Sequence, residues 1–157
     1  MDGTLCRLGA VRSFDPTLVV LAAAHVFGAV SLEGSPRFHH MFATVFNGST
    51  FFAFLKKLVR ATRCKLFLII DNGPCHNLQA NGVAWLQTNR HRIELHPLPA
   101  CSPNLNPIEG VWKETKECTT HNRFFKTTDE RDTALRQTFV RFDTTPEMLA
   151  GQVARFL

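Results

Sequence analysis

Lys65-Leu66-Phe67-Leu68-Ile69-Ile70-Asp71-Asn72 is the stretch whose reading decides the fold. Leu66 to Ile70 is short and apolar on both faces, the pattern of a strand buried in the middle of a sheet. Asp71 closes the run, and Asn72-Gly73-Pro74 breaks it. An acid at the carboxyl end of such a strand lies where α/β sheets place ligands. The local alternative is a strand-end acid that accepts turn hydrogen bonds from Gly73 or its neighbours.

A second acid ends the segment Leu98-Pro99-Ala100-Cys101-Ser102-Pro103-Asn104-Leu105-Asn106-Pro107-Ile108-Glu109. Asn106 is a good N-cap and Pro107 suits the first helical position, which predicts a helix to about Glu117. Glu109 then occupies the slot of a capping-box acid, with Lys113 four residues on as an ion-pair partner. The Ser-Pro-Asn-Leu-Asn-Pro-Ile-Glu run is more specific than a cap requires. A strand-end acid and an acid in the first turn of a following helix can share a divalent metal. Metal-dependent phosphoryl transfer usually needs at least one more carboxylate, and the chain offers no obvious candidate.

Outward from these two acids, Leu18 to Val30 reads as one long strand and His39 to Phe46 as a second, joined by Gly34-Ser35-Pro36 into a hairpin. Asn47-Gly48-Ser49-Thr50 starts a helix with Phe51, Phe54, Leu55, Leu58 and Thr62 on one face and Lys56, Arg60 and Arg63 on another. A helix from about Asn77 to Gln87 and an edge strand from Ile93 to Leu98 follow. Thr128 caps a further helix, with Asp129 and Glu130 placed well for its dipole, and Thr145-Pro146-Glu147 opens the last. No repeat, low-complexity tract or linker divides the 157 residues, so a single α/β domain is expected.

Composition narrows the class. The 45% hydrophobic content and 14 Phe can fill a core, and no apolar run approaches the ~20 residues that span a bilayer. No signal peptide is evident, and a cytoplasmic location with no membrane partner is expected. Five cysteines without CxxC spacing argue against a disulfide framework or zinc ribbon. The net charge of +5 favours a polyanionic partner weakly. Three basic clusters favour it more: Lys56, Lys57, Arg60, Arg63 and Lys65; Arg90, His91 and Arg92; Lys113, Lys116, Arg123 and Lys126. Solvated helix faces are the plainer explanation of any one cluster.

Asp71-Asn72 followed by His76, then Leu98-Pro99, Ser102-Pro103, Leu105 to Glu109 and Trp112, resembles the mariner-type superfamily of DDE transposases in its bacterial insertion-sequence branch. The 37 residues between Asp71 and Glu109 are close to the family spacing. The segment from Leu66 to Trp112 is specific; Gly3 to Arg7, Val26 to Val30 and Arg123-Phe124 are weaker echoes. The resemblance implies an RNase-H-like mixed sheet flanked by helices, and DNA strand cleavage and transfer. Two Mg²⁺ or Mn²⁺ ions would be held by an Asp-Asp-Glu triad, roughly 3.5–4 Å apart. Asp71 would bridge both metals and Glu109 would hold one. Asn72 and His76 would orient the site or a phosphate, and Lys113 and Lys116 would contact backbone phosphates. Helix-start packing is the alternative for His76. Trp112 is read as a core anchor before a base-stacking residue.

One part of the family pattern is not matched. Its first catalytic Asp belongs on the central strand, before the segment that here begins at Gly3. Asp2 is the only upstream candidate, with Gly3 where the family places Glu, and Asp15 before Pro16 falls in a loop; neither has the expected context. The expectation is therefore a truncated catalytic domain that lacks its first, central strand, folds poorly alone and is inactive alone. An upstream-encoded fragment would supply that strand and a helix-turn-helix domain. DNA ends and target would be the substrates, and an active form would be a homo-oligomer. The alternatives are a non-catalytic nucleic-acid-binding remnant of the same fold and another RNase-H-like nuclease.

Overall fold

The computed structural model describes residues 5–9, 24–32, 34–99 and 103–156. In chain order these form β1 (Leu5–Gly9), β2 (His25–Ser31), β3 (Phe38–Ala43), α1 (Gly48–Ala61), β4 (Lys65–Ile70) and α2 (Ala80–Thr88). Then come β5 (Ile93–Pro97), α3 (Ile108–Thr115), α4 (Thr128–Thr144) and α5 (Glu147–Val153). The strands make one sheet in the order β3-β2-β1-β4-β5. Pairing is antiparallel from β3 to β1 and parallel from β1 to β5. The mixed α/β class expected from the sequence is the one observed.

The expected gap at the centre of the sheet is corrected. Leu5 to Gly9 occupies the middle position, with Leu8 opposite Ser31 of β2 and Leu68 of β4. A strand needs only backbone donors and acceptors to fill such a slot, and those of β2 and β4 would otherwise go unpaired. The family pattern puts an acid on this strand. Leu5-Cys6-Arg7-Leu8-Gly9 carries none.

Strand alternation divides the core into two layers. Phe27, Ala29, Leu66, Leu68 and Ile70 face α1, which contributes Phe51, Phe54, Leu55 and Leu58. Val26, Val30 and Phe38 face the other way, onto Ile108, Val111 and Trp112 of α3 and onto α4 and α5. Each buried Leu or Phe stabilises this arrangement by about 1.5–3 kcal/mol. Trp112 is 3% exposed and meets Phe38 edge-on at 5.6 Å, so its core reading holds. Gly28 lies on the same face, where a Cβ would sit 2.6 Å from Trp112 Cη2 and Cζ2. Only glycine lets α3 approach β2 this closely.

Local boundaries follow capping chemistry. Asn47 caps α1 through Oδ1 to the Thr50 N–H, and the Thr50 hydroxyl returns to the Asn47 N–H. That reciprocal cap ends β3 earlier than the expected Phe46. Residues 74–76 form one 3-10 turn after Gly73, so α2 starts at Ala80 rather than Asn77. α3 starts at Ile108 with Pro107, not the expected Asn106, at its N-cap, while Asn106 Oδ1 one residue earlier accepts the Ile108 N–H at 3.2 Å. After Thr115 the chain widens into a π turn over Lys116–Thr120. Thr127, one residue before the expected Thr128, caps α4. The Leu18 to Ala23 part of the long-strand reading lies outside the described residues.

Candidate metal centre

Asp71 follows directly on β4, beside the central strand. Its Oδ1 accepts the Gly73 N–H at 2.9 Å, so the local turn reading of this acid is satisfied. His76 then folds back from the 3-10 turn. Its Nδ1 lies 2.8 Å from the Asp71 carbonyl and 3.1 Å from Oδ1. The imidazole side chain is only 4% exposed, and its ring packs against Phe51 at 4.6 Å with the two planes tilted by 44°. Burial pushes its pKa down, but hydrogen bonds to Asp71 outweigh this and raise it to about 10.

Asn72 and Leu98 tie two strand ends together. The Asn72 Nδ2 donates to the Leu98 carbonyl at 2.8 Å, and the Leu98 N–H donates to the Ile70 carbonyl at 2.8 Å. This extends the β4–β5 ladder by one rung, at the point where the chain leaves for α3. The end of β4 that carries Asp71 is thereby clipped to the end of β5. Asn72 and His76, expected on sequence grounds to face a phosphate or the site, both have partners inside the protein.

Glu109 is half-buried in the first turn of α3. It borders an open cleft of about 450 Å³ with Gly110, Lys113, Gly151 and Gln152. α5 closes over α3 at Gly110, where a Cβ would stand 3.0 Å from Gln152 Oε1. The Gln152 Nε2 in turn donates to Glu114 Oε2 at 3.1 Å. Lys113 projects from the cleft and lies 3.9 Å from Glu117, an exposed pair worth a few tenths of a kcal/mol, about 0.3–0.5. Lys116 is exposed on the same helix face.

Among the described residues, no three His, Cys, Asp or Glu side chains gather at metal-binding distance. Asp2 and Asp15, the other acids considered for the triad, lie outside them. Leu5, where β1 begins, pairs with Lys65, at the end of β4 away from Asp71. Cys75 and Cys118 are free thiols and Cys64 is disulfide-bonded. The basic clusters are not equivalent. Arg92 turns inward to the Val59 and Thr62 carbonyls at 3.1 and 2.7 Å, finishing α1. Lys57 donates to the His40 carbonyl and Lys65 pairs with Glu94 at 2.8 Å.

The sequence model described as DDE superfamily endonuclease matches residues 22–131. The chain belongs to that family. The match takes in β2 to β5, both Asp71 and Glu109, and all of α3. The DDE fold is seen again in solved structures. The catalytic domain of Mos1 mariner transposase is similar over 98% of this chain and 82% of its own, at 16% identity and a TM-score of 0.60. The catalytic core of BIV integrase covers 99% of this chain and 100% of its own, at 11% identity and a TM-score of 0.59. HTLV-2 integrase, solved in complex with magnesium, covers 91% and 86%, at 11% identity and a TM-score of 0.61. At these identities the likeness concerns the fold, which is RNase-H-like. No curated protein sequence matches the chain. No helix among the described residues of this DDE domain is long and apolar enough to cross a membrane.

Sequence reasoning missed three contributors to the site. Leu98 acts through its backbone, which leaves no side-chain signal. Gly28 did carry one, a glycine inside a strand. Gln152 is brought to the cleft by the docking of α5.

Proposed function

We propose that this chain is a metal-dependent DNA strand-cleavage and strand-transfer domain of the transposase kind, in which Asp71 and Glu109 hold a divalent cation. The observation that carries this is the placement of Asp71 at the end of β4, clipped through Asn72 and Leu98 to the end of β5, with Glu109 in the first turn of α3. Two carboxylates fit the chemistry of Mg²⁺ or Mn²⁺, hard ions often held by one or two carboxylates plus substrate phosphates. Such an ion, when bound, activates the attacking oxygen and stabilises the leaving one. The chain's own residues supply the rest. Gly73 and His76 hold the Asp71 carboxylate in one orientation, and burial of His76 beneath it keeps water from that side. Lys113 and Lys116 provide phosphate contacts that are sequence-blind and weaken with salt.

The chain by itself is inactive in this reading, because β1 offers no carboxylate between Leu5 and Gly9. A third acid from outside β1 completes the set. DNA ends and target are the substrates, and the active form is a homo-oligomer. The same acid-free strand also favours a second reading, a nucleic-acid-binding module that kept the fold without the chemistry. The test is a supercoiled plasmid incubated with the chain and Mn²⁺. Salt-dependent binding without nicking is expected. Nicking that is lost in Asp71→Ala would overturn the claim of inactivity, and absence of DNA binding at low salt would sink the nucleic-acid reading.

A further inference from the structure

Beyond the π turn that follows α3 stands the most exposed large apolar side chain among the described residues. Phe124 is 82% exposed, whereas most of the other large apolar residues are covered. It stands in His121-Asn122-Arg123-Phe124-Phe125-Lys126, where His121, Arg123 and Lys126 are also exposed. The segment is shaped by several contacts. Asn122 adopts φ of 55°, a left-handed turn position. The Arg123 N–H donates to the Thr120 carbonyl at 3.2 Å, and the Lys126 N–H donates to Glu130 Oε2 at 2.9 Å, just ahead of α4. The Arg123 guanidinium lies over the half-buried Phe125 ring at 5.4 Å. One aromatic ring thus braces the arginine while its neighbour faces solvent.

The location connects this loop to the candidate metal centre. Glu109, Lys113, Lys116 and Thr120 recur at helical spacing on one side of α3 and its π turn. The run from Glu109 to Thr120 covers roughly 17 Å, the span of a few nucleotides. A strand lying along it would meet two lysines and then arrive at Arg123, Phe124 and Lys126. An exposed ring between two cations is complementary to an unpaired base between two phosphates. A purely apolar protein partner would be poorly matched by those charges.

We propose that Phe124 is a stacking platform for an unpaired base of a nucleic-acid strand, with Arg123 and Lys126 holding the flanking phosphates. This rests on the nucleic-acid reading of the chain and not on its metal chemistry. Base–aromatic stacking survives any base identity, since every base has a π face, so the contact is sequence-tolerant. It favours frayed or single-stranded DNA over intact duplex, because stacking requires a base that has left its own stack.

The test uses the full chain without metal and two labelled probes, (dT)20 and a 20-bp duplex, read by fluorescence anisotropy across a salt series. Phe124→Ala is expected to weaken (dT)20 binding roughly 5- to 150-fold, with Phe124→Trp close to wild type. Its salt slope should be unchanged, since no charge is lost. Arg123→Ala and Lys126→Ala should each reduce that slope by about 0.7. Folding of each variant is checked by circular dichroism. Equal (dT)20 affinity in Phe124→Ala and wild type overturns the proposal. So does a wild type that binds only duplex, an outcome that leaves the nucleic-acid reading standing, whereas binding to neither probe ends both. A Phe124→Ala variant that changes oligomeric state in sedimentation while keeping (dT)20 affinity makes the loop a self-association surface and likewise overturns it.

Discussion

Gly28 offers a way to test whether α3, and with it Glu109, is seated by close packing on β2. In Gly28→Ala the new methyl would meet Trp112 at 2.6 Å and Phe38 Cε2 at 2.9 Å. Carbon atoms normally rest about 3.5–4.0 Å apart, so roughly 1 Å of relief is required. Phe38 and Trp112 are both core residues, and neither can swing into solvent. Overpacking of this kind costs about 1–3 kcal/mol. Replacing glycine by alanine also restricts the unfolded chain, which returns about 0.4–1 kcal/mol. The steric term wins, and a net loss of about 1–2 kcal/mol is expected. With a urea m-value of about 1–3 kcal/mol/M, the unfolding midpoint should fall by roughly 0.3–2 M. Trp112→Phe deletes the two ring atoms involved, so the double variant should be less destabilised than the sum of the singles by about 0.5–3 kcal/mol. Glu109 lies one helical turn before Trp112, so Mn²⁺ affinity should fall in Gly28→Ala and recover in the double variant. An unchanged urea midpoint in Gly28→Ala, or strict additivity, would refute the packing argument.

Asn72→Ala removes one exposed hydrogen bond, so stability should drop by only about 0.5–1.5 kcal/mol. Mn²⁺ binding should weaken nonetheless, because the clip that holds the Asp71 end of β4 to β5 is cut; calorimetry showing wild-type affinity would count against a positioning role. His40 is packed against Phe139 at 4.6 Å, and its pKa is lowered to about 4, first by burial and then by Lys57, Arg136 and His39. Between pH 6.5 and 4 the unfolded chain therefore takes a proton that the folded one refuses, so stability falls as pH falls through that window. His40→Phe should flatten this part of the pH profile, and an NMR titration of wild-type His40 with a midpoint near 6.5 would contradict it.

Much of this architecture is legible because apolar periodicity is a physical requirement of packing. The α1 face of Phe51, Phe54, Leu55 and Leu58 and the unbroken Leu66 to Ile70 run both appear as read. β1 was not legible. Five residues paired through backbone on both sides need no distinctive side chains, and Leu5 to Gly9 carries no acid to mark it. Charge was also a poor guide to exposure. Arg92 and Lys57 belong to basic clusters, yet both spend donors on backbone carbonyls of neighbouring elements. Asn72 and His76, read from the sequence as orienting the site or a phosphate, bond within the protein instead. Their hydrogen bonds to Leu98 and Asp71 depend on tertiary return of the chain, which spacing alone does not encode.

The central claim is that Asp71 and Glu109 together form a divalent-cation site. Isothermal calorimetry with Mn²⁺ on the wild type, Asp71→Asn, Glu109→Gln and the double variant tests it most directly. The account predicts a saturable heat in the wild type that either single substitution largely removes, with little further loss in the double variant. The same heat in the double variant as in the wild type would contradict it.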